Sequence, residues 1–301
     1  MDGILNVNKE AGFTSHDVVA KLRGILHQKK IGHTGTLDPA ATGVLPVCIG
    51  KATKVCSLLT DKDKSYRAAC RLGIETDTLD MTGEITGESD YGFVTEHQIV
   101  ETVSSFLGQI KQVPPMYSAV KVGGKRLYEL AREGKAVERK ERTVFIHEIN
   151  VTDIDLRQGV FTFDVTCSKG TYIRSLCSDI GKRLGTLAVM DSLVRTRVSV
   201  FSIEDAVTLG EIEEMYNSDA GAFQKHLHTV DSLFEDYPKL YIRKECSKKL
   251  ENGNPLSEED FTGGIAHNLT DGISVLVYDG DRGFKAVYQK IKTGFKAVKM
   301  F

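Results

Sequence analysis

Strict alternation between apolar and polar side chains in two segments limits the folds that this chain can adopt. In SYRAACRLGI (residues 65–74), Arg67 and Arg71 fall on one face. The opposite face carries Tyr66, Ala68, Cys70 and Leu72. VFTFDVTCS (residues 160–168) alternates in the same way. A period of two is typical of strands with one buried and one solvated face, so the pattern predicts half-buried sheet strands and places Tyr66 on the apolar side.

Helical periodicity accompanies these strands. After the strand-like segment GILNVNK (residues 3–9), Thr14 or Ser15 can cap a helix that carries Asp17 near its positive end. A second helix follows the 160–168 segment, and Gly185 ends it. Its apolar stripe consists of Ile173, Leu176, Cys177, Ile180 and Leu184. Strands with intervening helices agree with an α+β fold.

The length of 301 residues is enough for a large domain and a smaller one. We place the boundary near residue 235, so that residues 1–235 form the large domain. The acidic stretch 204–236 resembles a linker with helical segments, and beyond it KLYIRK, ISVLVYDG and FKAVYQK predict strands. Residues 236–301 are therefore expected to form a small β-rich domain.

Composition is ordinary for a globular protein, with 41% hydrophobic and 27% charged residues. No apolar run reaches the roughly 18 residues that a membrane helix needs, and MDGILNVNKEAG lacks the pattern of a secretory signal. The six cysteines form no CxxC pair and no zinc spacing. We therefore expect a cytoplasmic protein with reduced thiols, no metal and no membrane partner, and nothing demands more than a monomer.

Positive charge is concentrated in certain segments, although the formal net charge is only −2. Residues 121–146 carry eight Lys and Arg against four Asp and Glu, and residues 165–200 carry six against two. Such clustering is what a polyanion-binding face requires, and chance patterning of solvated faces also produces it. The basic segment 112–143, with its Pro-Pro turn and Gly-Gly break, is either a mobile arm on RNA or a solvated insertion.

The stretch GHTGTLDPAATGVLPVCIGKATK (residues 32–54) surrounds one carboxylate, Asp38, with small residues. The position before a proline favours extended backbone geometry at a turn. The neighbouring Gly and Ala residues let a ligand or another backbone segment approach closely. A structural explanation is an Asx turn, in which the Asp38 side chain bonds to its own backbone.

Arg174 lies in TYIRSL, in the first turn of the second predicted helix. A cation there faces the positive end of the helix dipole, which is mildly unfavourable unless an anion compensates. Asp38 is a suitable anion, and pairing with Arg174 is expected to lower the pKa of its carboxyl and keep it ionised. The alternative is that Arg174 is simply exposed.

His33 and Tyr66 each have an ordinary structural explanation, as a loop hydrogen-bond partner and as a core residue. Both also suit stacking and wedging against a base taken out of its helix. The sequence contains no HExxH, GxSxG, P-loop or GxGxxG motif. We therefore expect any chemistry here to need neither a metal nor a nucleotide cofactor.

Several long motifs, in order along the chain, resemble the TruB-type tRNA pseudouridine synthases. GILNVNKEAGFTSHDVVAKLR resembles the opening motif of that family, and the 32–54 stretch resembles its catalytic loop. KSYRA resembles the tyrosine motif, QVPPMYSAVKVGGKRLYELAREG a thumb-like insertion, and SKGTYIRSLCSDIG the arginine motif. The resemblance covers residues 3–200 strongly, and it covers residues 238–290 weakly as a PUA-type RNA-binding module.

The resemblance implies an α+β catalytic domain on a mixed, mostly antiparallel sheet, with the thumb-like insertion at about residues 112–143 and a PUA-like domain at residues 236–301. It implies that Asp38 is the catalytic carboxylate, paired with Arg174. It implies that Tyr66 stacks on the flipped base, which makes Tyr66 part of both the catalytic and the substrate-binding set. The other substrate-binding residues that it implies are His33, Tyr172 and Leu193.

The implied activity is isomerisation of uridine 55 in the T-loop of tRNA to pseudouridine. The enzyme breaks the N1–C1′ bond and rejoins the base through C5, so nothing enters or leaves and no cofactor is required. A glycosidase normally uses two carboxylates that flank the bond. One ionised Asp in a dry pocket, with an aromatic side chain holding the detached base, suits an isomerase better.

Two other function classes stay open at this point. An RNA-binding or tRNA-folding protein uses the same basic segments, and its turnover is incidental. A hydrolytic nucleosidase needs a partner carboxylate near Asp38, and residues 32–50 offer none locally.

Overall fold

The computed structural model describes residues 1–135, 137–280 and 283–301. The strands of the first half are β1 (Gly3–Lys9), β2 (Ile31–His33), β3 (Thr42–Ile49), β4 (Lys64–Leu72), β5 (Ile74–Thr76), β6 (Ile85–Glu88), β7 (Gly108–Gln112), β8 (Lys121–Val122) and β9 (Lys125–Arg126). Those of the second half are β10 (Arg142–Asp155), β11 (Val160–Cys167), β12 (Ala188–Val198), β13 (Phe201–Ser202), β14 (Leu227–His228), β15 (Lys239–Ile242), β16 (Ser274–Asp279), β17 (Gly283–Ile291) and β18 (Gly294–Met300). The α-helices are α1 (Ser15–Ile25), α2 (Cys56–Thr60), α3 (Glu96–Ser104), α4 (Leu127–Arg132), α5 (Ile173–Leu184), α6 (Leu209–Ser218), α7 (Ala220–His226) and α8 (Ser247–Glu251).

A large sheet forms the centre of the molecule. Its strands follow the order β14-β1-β3-β12-β4-β11-β10-β7, with β13 beside β12 and β2 beside β3. Strands β12 and β3 pair in parallel, and the other neighbours are antiparallel. The predicted α+β fold with a mixed, mostly antiparallel sheet is confirmed.

One face of the β4–β11–β12 region is covered by α3 and α5, and the other face is polar. On the covered face Tyr66 and Phe163 pack with Leu176 and Ile180 in one buried cluster. On the polar face Arg67 forms an ion pair with Asp164 at 2.8 Å. The alternation in the sequence therefore predicted both faces of β4 and β11 correctly.

Helix α1 begins where the sequence indicates. Thr14 is the N-cap, and its side chain accepts from the backbone N–H of Asp17, whose carboxylate accepts from the Thr14 backbone in return. The apolar side of α1, with Val18 and Leu22, packs against β1 and β3. This packing fixes the end of β1 next to the loop that carries Asp38.

The acidic stretch 204–236 is part of the main core, so the expectation of a linker is wrong. Ile212 and Phe223 are buried in the same cluster as α1, and β14 pairs with β1. Glu211, Glu213 and Glu214 lie on the exposed side of α6, while the apolar Ile212 between them fills the core. Composition alone hid this amphipathic pattern.

The C-terminal residues build a separate sheet in the order β15-β16-β17-β18. Leu276 and Val287 of this sheet pack against Ile4 and Cys48 of the large sheet. The Tyr278 hydroxyl also donates to the Asp231 carboxylate at 2.6 Å. The predicted separate, β-rich C-terminal sheet is confirmed, and the boundary near residue 235 stays a prediction.

Two polar segments contain more structure than the sequence indicated. The connector 75–92 contains part of the β5–β6 hairpin. The basic segment 112–143 contains the β8–β9 hairpin and the six-residue helix α4. Its residue 136 lies outside the described residues.

Candidate active site

Residues 34–41 join β2 to β3 and carry Asp38; we call them the Asp38 loop. Lys9, at the end of β1, is fully buried. Its Nζ donates to the backbone oxygens of Glu10, Phe13 and Pro39 at 2.7–3.0 Å. Burial lowers the pKa of Lys9 to about 8, and the nearby Asp38 carboxylate opposes that shift. The cation thus ties the Asp38 loop to the opening segment of the chain.

A glycine is required where the Asp38 loop enters β3. Gly43 has a φ of +101°, and a Cβ atom there would lie 2.3 Å from the backbone oxygen of Arg195. Residue 43 pairs with Arg195 in the parallel register of β3 and β12. Close approach of two backbones therefore explains part of the small-residue composition that the sequence shows around Asp38.

Arg174 and Asp38 form an ion pair across 136 positions of sequence. Arg174 Nε lies 2.9 Å from Asp38 Oδ2, and Nη2 donates to Oδ1 at 3.1 Å. The guanidinium also donates to the backbone oxygens of Thr78 and Tyr117 at 2.9 and 2.8 Å. Its side chain is only 6% exposed. The alternative of an exposed Arg174 is therefore excluded, and both ends of the pair have fixed positions.

A second carboxylate shares Arg174, and the sequence analysis missed it. Asp80 Oδ2 lies 3.7 Å from Arg174 Nη1. Asp80 is buried, and its Oδ1 accepts from the Thr78 hydroxyl at 2.8 Å and from the Thr82 backbone N–H at 3.0 Å. The spacing TDTLDMT in the polar connector was the available signal, since hydroxyl residues flank a carboxylate at two positions on either side.

The pKa of the Asp38 carboxyl is raised above its usual range, because burial outweighs the favourable effect of Arg174. The Asp80 carboxylate adds to the rise, and Lys9 opposes it. The Asp38 side chain is 35% exposed, but it opens into cavities rather than onto a convex surface. Arg174 lowers the Asp38 pKa as expected, but the expectation left out burial, which reverses the sign of the net shift.

One cavity of about 310 Å³ brings together five of the six predicted site residues; we call it the Tyr66 pocket. These five residues are Asp38, Tyr66, Tyr172, Arg174 and Leu193. Burial raises the pKa of the Tyr66 phenol to about 12. Arg195 also lines this pocket and was not singled out from the sequence. Since it follows Leu193 by two positions in a strand, the period of two was the signal for it.

The start of α5 is held in place from β7. The buried Gln112 side chain accepts from the Tyr172 backbone N–H at 3.0 Å and donates to the Tyr172 carbonyl at 3.3 Å. The Ser175 hydroxyl donates to the Val113 carbonyl at 2.9 Å. These bonds fix the backbone from which Tyr172 and Arg174 project into the Tyr66 pocket.

His33 does not line the Tyr66 pocket. Its ring lies edge-on to His16 with centroids 5.1 Å apart, and its Nδ1 accepts from the Gly35 backbone N–H at 3.3 Å. Burial lowers the pKa of His33, so the neutral ring is favoured at neutral pH. His33 is therefore placed beside the Asp38 loop and contacts His16, which lines a second cavity.

That second cavity, of about 520 Å³, lies on the other side of Asp38; we call it the insertion cavity. Its walls include His16 and three residues of the basic segment, Arg126, Tyr128 and Arg132. Arg126 and Arg132 lie over the Tyr128 ring, 5.8 and 5.5 Å from its centroid. Asp38 therefore lies between the Tyr66 pocket and a basic, aromatic surface.

In the described part of the chain, no group of three or more His, Cys, Asp or Glu residues could hold a metal ion. The described cysteines are all free thiols. No helix of residues 1–135, 137–280 or 283–301 has the length and apolarity needed to cross a membrane.

Comparison with known families gives two matches that together span residues 23–235. Residues 23–173 match the N-terminal domain of the TruB family pseudouridylate synthases. Residues 174–235 match the C-terminal domain of tRNA pseudouridylate synthase B. The first match joins the Asp38 loop to the start of α5 within one family domain.

Curated relatives and solved structures agree with this assignment. The chain is 50% identical to tRNA pseudouridine synthase B of Lachnoclostridium phytofermentans and 42% identical to that of Clostridium kluyveri, with full coverage of all chains. A chain of the Cbf5–Nop10–Gar1 complex superposes with a TM-score of 0.74 at 29% identity, covering 99% of this chain and 84% of that one. A chain of an H/ACA ribonucleoprotein bound to substrate RNA gives the same TM-score at 26% identity, with the same coverage. The chain therefore belongs to the TruB family of pseudouridylate synthases, isomerases that form pseudouridine in tRNA.

Proposed function

We propose that this enzyme isomerises uridine 55 in the T-loop of tRNA, with Asp38 as the catalytic carboxylate. The observation that carries the proposal is the bidentate Arg174–Asp38 pair at the junction of the Tyr66 pocket and the insertion cavity. A nucleotide flipped out of the T-loop can reach Asp38 only if it enters one of these cavities. The Tyr66 pocket offers an aromatic ring, which suits a base.

The chemistry begins with the ionised Asp38 carboxylate. Attack of the carboxylate on C1′ and removal of a proton from the sugar both start from this form. The N1–C1′ bond breaks and its electron pair leaves with the base. The base turns within the pocket, and C5 bonds to C1′. In the first route the Asp38–C1′ bond breaks as C5 attacks, and the carboxylate is released; in the second route Asp38 returns the proton to the sugar. The C5 proton is then lost, and N1 gains a proton. Arg174 keeps both Asp38 oxygens oriented through this sequence, and its bonds to Thr78 and Tyr117 limit its own movement.

Each remaining site residue has a proposed role. Tyr66 stacks on the base and keeps it in the pocket after the bond has broken, and Leu193 and Tyr172 form the other walls. His33, at the base of the Asp38 loop, takes the space in the T-loop that the flipped nucleotide leaves. Its favoured neutral form suits insertion among stacked bases.

The RNA backbone is proposed to lie along the insertion cavity. Arg126 and Arg132 supply positive charge there, and Lys125 lies on the adjoining exposed hairpin. Such contacts set the register of the RNA without reading its sequence. We also propose that residues 1–235 form the catalytic domain and that residues 236–301 form a PUA-like RNA-binding domain.

The position of Asp80 bears on the nucleosidase alternative. A hydrolase needs two carboxylates on opposite sides of the scissile bond, with room for water. Asp80 borders the insertion cavity but not the Tyr66 pocket. Its carboxylate already pairs with Arg174 and accepts hydrogen bonds from Thr78 and Thr82. Its surroundings favour a role in holding Arg174 over a role as a second acid or base.

Tritium release tests the proposal directly. An unmodified tRNA transcript tritiated at uridine C5 is incubated with the native enzyme in EDTA, and the modified position is mapped. We expect stoichiometric release from uridine 55 and none from a transcript with cytidine at position 55. Asp38→Asn should reduce turnover by a factor of about 10⁴ or more, because the nucleophile or base is gone.

Binding of tRNA by Asp38→Asn separates the alternatives. We expect affinity close to that of the native enzyme, since phosphate contacts elsewhere supply most of it. A comparable loss of affinity would assign Asp38 a structural role. Release of free uracil by the native enzyme would support the nucleosidase, and binding without tritium release would support the tRNA-folding protein.

A further inference from the structure

Arg195 is a buried cation that the proposed mechanism does not yet use. It is 1% exposed, which makes it one of the most deeply buried large side chains. Among the described residues, no Asp or Glu carboxylate lies within 4.0 Å of its guanidinium, since it occurs in none of the ion pairs. Burying a charge at this depth without a counter-ion is energetically costly, whereas Arg174 is buried together with its partner Asp38. The cost calls for a functional explanation.

The hydrogen bonds of Arg195 leave part of the guanidinium free to act on a ligand. Nε donates to the Val44 carbonyl at 2.7 Å, and Nη2 makes a long contact of 3.4 Å with the Gly35 carbonyl. The Tyr66 hydroxyl is its other neighbour, and Arg195 opposes the burial-driven rise in the pKa of that phenol. The group lines the Tyr66 pocket on the side of the aromatic ring.

The surroundings of Arg195 are positive. Its charge contributes to the lowered pKa values of Lys64 and Lys9, which are both about 8, after burial as the main cause. Lys64 lines the same pocket. The nearby Asp38 carboxylate is already paired with Arg174. The Tyr66 pocket therefore holds a surplus of positive charge, which stabilises a bound anion.

We infer that Arg195 stabilises the negative charge that the uracil base carries while it is detached from the ribose. The inference rests on the proposed function, because it takes the Tyr66 pocket as the uridine site. When the N1–C1′ bond breaks, its electron pair stays on the base and spreads over N1, O2 and O4. When C5 bonds to C1′, that charge is used in the new bond, and the C5 proton is lost as N1 gains one. Arg195 therefore acts after the N1–C1′ bond has broken and before the C5–C1′ bond forms.

Depth favours the base over an RNA phosphate as the anion. Arg195 lies beside the buried Tyr66 and Leu193, whereas Lys64 makes its bonds to exposed backbone oxygens of Thr60 and Lys62. A phosphate at the depth of Arg195 would have to shed its water together with the ribose. A planar base stacked on Tyr66 reaches the same place with its carbonyl edge.

The test compares leaving groups of different quality. T-arm stem-loops with uridine or 5-fluorouridine at the target position are reacted in single turnover, and loss of the N1-linked nucleoside is followed by nuclease digestion and chromatography. Fluorine withdraws electrons from the base and stabilises its anion. Arg195→Met keeps the length of the side chain and removes the charge. Arg67→Met removes an arginine from the opposite face of the neighbouring strand and is the matched control.

We expect Arg195→Met to slow cleavage of uridine by about 10²-fold to 10³-fold, the usual cost of one preorganised charge-stabilising donor. With 5-fluorouridine the defect should shrink by about tenfold or more, while Arg67→Met reacts like the native enzyme with both substrates. Arg195→Lys should recover part of the rate, since a cation remains. If Arg195→Met does not fold, the same substrate comparison is made on Arg195→Lys.

Equal defects with both substrates would overturn the inference and make Arg195 a structural residue. A loss of stem-loop affinity at an unchanged single-turnover rate would also overturn it and would assign Arg195 to a phosphate. Failure of the native enzyme to react at the T-loop uridine would contradict the proposed function instead, so the two failures are distinct.

Discussion

The two cavities that meet at Asp38 are built in different ways. The Tyr66 pocket includes residues of the long strands β4 and β12 and of the start of α5, and its residues Tyr66, Leu193 and Arg195 are all buried. The insertion cavity takes its basic and aromatic wall from the short elements of residues 112–143, and Arg132 there is exposed. One side of Asp38 is therefore core, and the other side is surface.

The Tyr66 pocket is also held in place by more contacts than the basic segment 112–143. Tyr66, Leu193 and Arg195 of the Tyr66 pocket lie on the paired strands β4 and β12, and β4 also pairs with β11 on its other side. The basic segment is joined to the rest of the molecule at fewer points, among them the bonds from Tyr117 to Asp77 at 3.1 Å and from Arg174 to the Tyr117 carbonyl at 2.8 Å. Chemistry needs positions held to fractions of an ångström, and docking of a polyanion does not. Changes in the pocket should therefore alter rate, and changes in the insertion should alter affinity.

Among the experiments that compare the two cavities, Arg174→Lys gives the largest expected effect. A lysine cannot hold both Asp38 oxygens and also bond to the carbonyls of Thr78 and Tyr117. We expect the single-turnover rate to fall by about 10²-fold or more, with tRNA affinity little changed. Arg183→Lys, at the far end of α5, is the control. A normal rate with weakened binding would remove the distinction between the two cavities.

Neutralising the insertion is the complementary experiment. Replacement of Lys125, Arg126 and Arg132 by alanine should weaken tRNA binding and reduce the slope of log affinity against log salt by about 2 to 3. The single-turnover rate at saturating enzyme should stay near the native value. Neutralising Arg67 and Arg71 on the polar face of the sheet is the control. An unchanged salt slope would place the RNA elsewhere.

The low-pH side of the pH–rate profile, its acid limb, reports the charge of Asp38. Because the ionised form is active, the rate is lost as pH falls through the Asp38 pKa, and burial sets this pKa above the usual range. Asp80→Asn removes a like charge that raises this pKa, so the limb should move to lower pH. The measurement is the single-turnover rate as a function of pH, with Asp77→Asn as control. A limb that moves to higher pH would show that Asp80 acts mainly by holding Arg174.

The pocket side was largely predictable from the sequence, because strand and helix periodicity report directly on packing. Alternation placed Tyr66 on the buried face, and the position of Arg174 at a helix N-terminus indicated a nearby anion. Asp80 was missed, since it reaches Arg174 from a connector whose hairpin has no strong apolar pattern. Its role depends on contact between distant segments, which no local pattern encodes.

The sign of the Asp38 pKa shift shows the same limit. An ion pair between two residues can be argued from their types, and the pair exists. The burial that outweighs it comes from the meeting of the Asp38 loop, α5 and the β5–β6 connector. Desolvation is a property of the assembled site, so a sequence argument that names only the partner obtains the wrong direction.

The smallest expected effect tests what Tyr66 contributes to the pocket. Tyr66→Phe keeps the ring and removes the hydroxyl beside Arg195, so stacking and tRNA affinity should persist, with a rate loss of about tenfold from the altered hydrogen bonding. Tyr66→Ala removes a buried ring, which should cost about 3–5 kcal/mol of folding stability and most of the base stacking. Thermal unfolding, tRNA affinity and single-turnover rate separate the two variants. If Tyr66→Phe reacts as slowly as Tyr66→Ala, the hydroxyl and not the ring is the main contribution, and the pocket acts through its polar groups.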